Sequence, residues 1–171
     1  MTLYYIEMGQ GVVVPTPDGQ DLLIGTSPLL SCVLIAGCNS NTRHAGAFHY
    51  PATELKNPEV AQDMSDWLEE LKPTQIRLVT AASQAFSMMG SGTDPDDLNR
   101  LKEWLSTKGY PASDEKSATN GAMHVLQGVN FDIGTPNYLG AEFNKEVCDV
   151  DLSEQAAGNH GGYVLFGKDL N

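Results

Sequence analysis

The sequence has little positive charge and no long apolar run. Its 171 residues include 10 Lys and Arg against 22 Asp and Glu, a formal net charge of −12. Because phosphate backbones and anionic lipid surfaces attract basic protein surfaces, this balance argues against nucleic acid and anionic membranes as partners. No stretch of about 18 consecutive apolar residues occurs, so no membrane insertion is predicted.

Cysteine is also scarce. Three are present, Cys32, Cys38 and Cys148, and an odd, low count is not typical of a disulfide scaffold. If Cys32 and Cys38 share a strand, they lie roughly 20 Å apart and cannot form a disulfide. The N-terminus has no basic region before an apolar stretch, which argues against a secretory signal. We therefore predict a cytoplasmic protein, with export through a specialised secretion system as the open alternative.

Motifs for metals, phosphates and cofactors are missing from the sequence. It contains no Cys-x-x-Cys and no His-Glu-x-x-His pattern. Gly90-Ser91-Gly92 lacks the Gly-Lys-Ser/Thr ending of a phosphate-binding loop. The acidic cluster Asp94, Asp96 and Asp97 is interpreted as the start of a helix. We accordingly expect neither a cofactor nor a metal.

The patterning predicts a single α/β (α+β) domain over residues 1–171, with mostly antiparallel sheets and two helices packed on them. One helix is predicted from Pro58, capped by Asn57 and stopped by Pro73, and another follows an Asp94 cap and ends at Gly109. Strands are predicted at 3–7, 11–14, 22–24, 32–38, 76–80, 122–127, 129–133 and 162–166. Residues 82–94 and 134–160 are interpreted as loops.

The segment around Cys32 and His49 carries the chemistry. It contains an apolar strand, a polar link at residues 39–42 and a second strand that ends at Tyr50. If that link closes an antiparallel hairpin with Cys38 opposite Arg43, then Cys32 and His49 face each other, with Cβ atoms roughly 5 Å apart. A thiol beside an imidazole is a minimal cysteine nucleophile with its base.

A third residue, Thr26, is the candidate that orients the imidazole. A hydroxyl or main-chain carbonyl from its loop can hold the second ring nitrogen of His49 and set the tautomer. Residues 26–50 contain no Asp or Glu that could do so instead. His44 is the rival base, but an odd spacing from His49 places it on the opposite face of the strand. Cys38 and Cys148 are interpreted as structural.

This constellation resembles the CheD family of receptor glutamine deamidases, whose fold is shared with the cytotoxic necrotizing factors. The matching residues are Thr26-x-x-Leu29-x-Ser31-Cys32, an apolar strand, and then Gly46-x-x-His49 before Pro51. In that family a Thr lies six residues before the nucleophilic Cys and the catalytic His seventeen after it, as here. The likeness covers roughly residues 3–135. Residues 134–171 form a poorly matched, loop-rich C-terminal part.

The resemblance implies a layered α/β/β/α sandwich and a cysteine-dependent deamidase that converts a protein glutamine to glutamate and releases ammonia. It implies Cys32 as nucleophile, His49 as base and Thr26 as the orienting residue. Main-chain amides at Cys32 and the preceding loop, at Ser31 and Leu30, are expected to stabilise the oxyanion. The expected partner is a protein substrate with an exposed glutamine, and the oligomeric state is left open.

Other functions remain open at this level. The same site is compatible with a methylesterase or a transglutaminase. A non-catalytic binding module of the same fold is a different class, and a bacterial effector that acts on a foreign host protein is another.

Overall fold

The computed structural model describes residues 2–16, 22–26, 29, 31–80, 93–116, 126–132, 135–143 and 148–167. The first six strands are β1 (Thr2–Ile6), β2 (Gly11–Pro15), β3 (Leu22–Thr26), β4 (Val33–Asn39), β5 (His44–Tyr50) and β6 (Gln75–Thr80). The others are β7 (Ala112–Lys116), β8 (Leu126–Asp132), β9 (Thr135–Phe143), β10 (Val150–Asp151), β11 (Gly158–Asn159) and β12 (Val164–Phe166). The helices are α1 (Pro58–Leu71) and α2 (Pro95–Thr107), with a 3₁₀ turn at Glu54–Lys56.

The strands form two sheets. One has five strands in the order β10-β1-β3-β8-β9, and the other has seven in the order β11-β12-β2-β5-β4-β6-β7. Most neighbours are antiparallel, while β1–β3, β1–β10 and β6–β7 are parallel. The predicted class, a mixed α and β fold with mostly antiparallel sheets, is confirmed.

Two apolar cores divide the molecule into layers. One lies between the sheets and takes residues such as Ile24, Leu34 and Ala47 from both of them. The other lies between the seven-stranded sheet and the buried faces of α1 and α2, which include Trp67 and Leu101. Both helices therefore cover the same face of one sheet. Within the described residues the layers are α/β/β, and the second helical layer of the predicted α/β/β/α sandwich does not occur there.

The two helices begin where the capping residues predict. The Asn57 side chain accepts a hydrogen bond from the Glu59 amide, and the Asp94 side chain accepts one from Asp96. Helix α1 ends at Leu71, and Lys72 follows in the left-handed region, before Pro73. None of the helices in the described ranges combines the length and apolar character needed to cross a membrane.

The β4–β5 hairpin has a different register from the predicted one. Asn39 pairs with His44, so Cys38 faces Ala45 and not Arg43, and His49 faces Leu34 and not Cys32. Asn39 explains the shift, because its side-chain oxygen accepts from the Asn41 and Thr42 amides and so starts the turn one residue later. The partners slip by two residues, which moves the pairing along the strands but leaves every side chain on its predicted face.

The C-terminal part contains more strand than predicted. The segment 134–160, interpreted as loop, holds β9, β10 and β11. Strand β9 pairs along β8, with an irregularity between Leu126 and Gly128. Strand β8 covers the end of the predicted strand 122–127 and most of the predicted strand 129–133, while residues 122–125 lie outside the described residues. Strand β7, at one edge of its sheet, was not predicted from the polar sequence Ala-Ser-Asp-Glu-Lys. These strands form because a neighbouring strand supplies their hydrogen-bond partners, which local sequence does not reveal.

Candidate active site

The site lies between the two sheets, where the ends of β3 and β5 meet. Thr26 is the last residue of β3 in the five-stranded sheet, and His49 is near the end of β5 in the seven-stranded sheet. The Thr26 hydroxyl lies 2.5 Å from His49 Nδ1. Both side chains are buried, with 0% and 1% exposure. This polar contact links the two sheets beside the apolar core that lies between them.

The hydrogen bonds of Thr26 determine the tautomer of His49. The Thr26 hydroxyl has one proton, and it donates that proton to the Ile6 carbonyl oxygen at 2.9 Å. It can then only accept from the imidazole, so Nδ1 carries the ring proton of His49. Nε2 is left with its lone pair, and it is a buried side-chain nitrogen without a hydrogen-bond partner among the described residues. The arrangement presents a buried, unoccupied proton acceptor.

The main chain of His49 is also fixed by hydrogen bonds, one from its amide and one to its carbonyl. Its amide donates to the Gln10 carbonyl, and its carbonyl accepts from the Gly9 amide, each at 2.9 Å. Gln10 is itself buried and donates through its side chain to the Leu152 carbonyl at 2.9 Å. Burial lowers the pKa of His49 to about 3, because the charged imidazolium would lose its hydration. His49 is therefore neutral at physiological pH.

Cys32 lies on the same side of the sheet as His49. It directly precedes β4 and packs, half-buried, against the core between the sheets. His49 faces Leu34, and Cys32 lies two residues before Leu34, so the two side chains are diagonal neighbours. Diagonal neighbours are roughly 7–8 Å apart, within reach of a long side chain. The predicted direct pairing of Cys32 and His49 is wrong, but their common face is retained.

The thiol of Cys32 opens on a cleft of about 470 Å³. The lining residues are Met8, Ser31, Cys32, Pro51, Ala52, Glu54 and Asn57. Met8 is the most exposed of these residues, at 42%, and its sulfur lies 3.7 Å from the Cys32 sulfur. Desolvation raises the pKa of the Cys32 thiol. Groups at Ala52 and Ser31 lower this pKa and offset the effect only in part. The thiol and the imidazole are thus both uncharged at rest.

A second buried polar group lies on the other side of β5. The Tyr50 hydroxyl donates to Asp97 Oδ1 at 2.9 Å, and the Thr53 amide donates to Asp97 Oδ2 at 3.1 Å. Asp97 is only 1% exposed. Desolvation and the adjacent carboxylate both raise the pKa of the Tyr50 hydroxyl. The interpretation of the acidic cluster as a helix start is confirmed, since Asp94 caps α2 and Asp96 and Asp97 lie in its first turn, but the burial of Asp97 was not predicted.

The structure brings Thr26 and His49 into contact and places Cys32 beside them. Ser31 lines the same cleft, and Leu30 lies outside the described residues. His44 pairs with Asn39 at the loop end of β5, at an odd spacing from His49 as predicted. Sequence reasoning missed Met8, Ala52 and Asp97, since each comes from another turn or helix and has no motif that links it to Cys32.

The chain matches no protein-family model, and no curated protein sequence matches it. In the described part of the chain, no group of three or more His, Cys, Asp or Glu side chains is suited to hold a metal ion.

Proposed function

We propose that the protein is a cysteine-dependent deamidase that hydrolyses the side-chain amide of a glutamine in a protein substrate. The observation that carries the proposal is the oriented imidazole. Thr26 holds Nδ1 of His49, so Nε2 is a buried acceptor to which no described residue donates, on the face that Cys32 shares. A nucleophile, its base and a group that orients the base form the general pattern of covalent catalysis. The CheD-like spacing of these residues supports the same reaction.

The first half of the reaction transfers the acyl group to Cys32. Nε2 of His49 takes the thiol proton while the sulfur attacks the γ-carboxamide carbon, forming a C–S bond and a tetrahedral oxyanion. His49 then returns a proton to the amide nitrogen, the C–N bond breaks, and ammonia leaves. A thioester between Cys32 and the former glutamine remains.

The second half regenerates the enzyme with water. Nε2 removes a proton from a water molecule, which attacks the thioester carbon. The C–S bond breaks, the sulfur regains its proton, and the product is glutamate. Main-chain amides near the sulfur, at Ser31 and Ala52, are the donors for the oxyanion in both halves. Each side chain thus returns to its starting protonation state.

The resting state differs from a preformed thiolate–imidazolium pair. Burial raises the pKa of the Cys32 thiol and lowers that of His49 to about 3. Proton transfer must therefore accompany the attack, when the two new charges stabilise each other. The thiol also contacts Met8 at rest, so its proton must turn from the thioether to Nε2. Catalytic hydrogen bonds are often long in free enzymes and tighten when the substrate binds.

One observation favours a second candidate, a non-catalytic binding module. A thiol whose pKa is raised by burial is a poorer nucleophile at neutral pH than an activated one. In that case the Cys32 cleft serves to dock another protein, and Thr26–His49 is an internal link between the sheets. Alkylation of the folded protein separates the two candidates. The binding module predicts that Cys32 reacts no faster than a buried free thiol and is indifferent to His49→Ala.

The proposed activity is tested by ammonia release from casein, a flexible protein rich in accessible glutamine. Mass spectrometry of casein peptides then locates each conversion of amide to acid. We expect release with the unaltered protein and none with Cys32→Ala. Cys38→Ala is the matched control, because Cys38 is buried in the sheet core and does not line the cleft. Equal release by Cys32→Ala would contradict the mechanism.

The related reactions are separated in the same assay. A transglutaminase incorporates an added primary amine such as putrescine into casein, whereas a deamidase continues to form the acid. A methylesterase releases methanol from a glutamyl methyl ester and leaves the amide intact. A bacterial effector catalyses the same deamidation on a foreign host protein, so it differs in substrate and not in these products.

A further inference from the structure

Asp97 is a buried carboxylate that accepts hydrogen bonds from two donors in one short segment of the chain. Its Oδ1 accepts from the Tyr50 hydroxyl at 2.9 Å, and its Oδ2 accepts from the Thr53 amide at 3.1 Å. Thr53 has a φ of 64°, a left-handed conformation that a β-branched residue adopts only when its surroundings hold it there. Asp97, 1% exposed in the first turn of α2, therefore anchors the chain at residues 50–53.

The anchored segment forms one wall of the Cys32 cleft. Pro51 and Ala52 line the cleft together with Cys32, and the main chain of Ala52 lowers the pKa of the thiol. The same end of α2 also reaches the nucleophile from the other side, since the Thr93 hydroxyl donates to the Cys32 carbonyl at 3.3 Å. The start of α2 thus holds both the main chain of Cys32 and the turn that carries the Ala52 amide.

We infer that Asp97 is a positioning residue, which fixes the turn at residues 51–53 so that the Ala52 amide stays beside Cys32 in the cleft wall. The inference rests on the proposed function, in which that amide stabilises the thiolate and then the oxyanion. Asp97 does not touch the reacting atoms. It acts through Thr53, the residue next to Ala52.

The charge and the anchoring of Asp97 act on Cys32 in opposite directions. The Ala52 amide lowers the pKa of the thiol, while the negative charge of Asp97 raises it by a smaller amount. Two other titratable groups lie near Cys32: Glu54 lines the same cleft, and His49 on β5 is a diagonal neighbour. Both variants below leave these two groups in place and change only the residue at position 97. A pair of variants that differ in anchoring but not in charge therefore isolates the positioning effect.

The pair is Asp97→Asn and Asp97→Ala. Both remove the charge, but the amide oxygen of the first can still accept from the Thr53 amide. The measurement is the rate of iodoacetamide alkylation at Cys32 against pH, read by mass spectrometry. We expect the alanine variant to react at higher pH than the asparagine variant, by about half a pH unit or more. Asp96→Ala, an exposed neighbour in the same helix turn, is the control and leaves the profile unchanged.

A purely structural role gives a different result. Asp97→Ala would then lower the melting temperature, yet its alkylation profile would coincide with that of Asp97→Asn, and the inference would be overturned. If Asp97→Ala does not fold, Asp97→Ser takes its place, because its shorter side chain stays polar but does not reach both donors. The alkylation readout needs no substrate. The role of Asp97 can therefore fail this test while ammonia release persists, and it can pass this test while ammonia release is absent.

Discussion

His49 and Tyr50 are neighbours in the chain, and they build two different kinds of buried polar group. Being adjacent in β5, they point to opposite faces of the seven-stranded sheet. The His49 side chain contacts Thr26 in the five-stranded sheet, while the Tyr50 hydroxyl donates to Asp97 in α2. Both oxygens of Asp97 have a donor, whereas one nitrogen of His49 has no partner in the described residues.

The difference fits the proposed function, in which the Tyr50–Asp97 group holds the fold and the Thr26–His49 group takes part in the reaction. An unpaired buried polar atom costs about 1–3 kcal/mol, so it is retained where a function needs it. The Tyr50–Asp97 group has no such atom and joins helix to sheet. The Thr26–His49 group leaves its acceptor open beside Cys32. Four experiments test this contrast.

The largest expected effect is that of His49→Gln on ammonia release. Loss of the general base lowers the rate by about 10²- to 10⁴-fold. His44→Gln is the matched control on the same strand, and we expect it to leave the rate near that of the unaltered protein. Equal losses in the two variants would show that the open nitrogen of His49 has no special role.

The second-largest expected effect is that of Thr26→Val on ammonia release. Valine keeps the shape of threonine but removes the acceptor for Nδ1–H, so the imidazole is free to turn or to change tautomer. We expect ammonia release to fall by about a hundredfold, the effect of a misplaced catalytic group. Thr26→Ser restores the hydroxyl and should recover most of the rate. An inactive serine variant that folds normally would contradict the orienting role.

Tyr50→Phe tests the other face by its effect on stability. Removal of the hydroxyl leaves Asp97 Oδ1 buried without a donor, and the free energy of unfolding should fall by about 1–3 kcal/mol. Urea denaturation measures this change. Tyr5→Phe is the comparison, because the Tyr5 hydroxyl donates to Glu7, a less buried carboxylate, and its loss should matter less. A larger loss in Tyr5→Phe would reverse the assignment.

The pH dependence of stability tests the burial of the neutral imidazole. His49 has a pKa of about 3 in the folded protein, below the usual 6.5 of an unfolded histidine. The unfolded chain therefore binds an extra proton between these values, so stability falls as the pH decreases from about 6.5 towards 3. His49 contributes a loss of at most about 1.4 kcal/mol per pH unit. The difference between the unaltered protein and His49→Gln, measured by urea denaturation at pH 7 and pH 5, isolates this contribution.

Sequence reasoning succeeded where the signal is local. Asn57 and Asp94 cap their helices as predicted because capping depends on a few consecutive residues. The alternation of β5 correctly placed His49 on the face opposite His44. The hairpin register was wrong by two residues, since it depends on a turn that the Asn39 side chain determines. Strand β7 was missed because its pairing with β6 lies far along the chain.

The residues of the candidate site also fall into those that the sequence could predict and those that it could not. Thr26, Cys32 and His49 could be selected from their residue types, their spacing and a family resemblance. Met8, Ala52 and Asp97 could not, because nothing in the intervening sequence relates them to Cys32. Met8 and Ala52 line the cleft from the β1–β2 turn and the segment after β5, and Asp97 contacts that segment from the first turn of α2. Only the packing of those elements brings them there.

The class of fold, the two helix starts and the faces of the strands could be predicted from the sequence, because capping and periodicity act over a few residues. Tertiary packing brings Thr26 to His49 across two sheets, leaves one ring nitrogen of His49 without a partner among the described residues, and buries Asp97 against Tyr50 and Thr53. These are contacts between distant segments. Their geometry follows from how the layers pack and from which polar atoms that packing leaves with a partner.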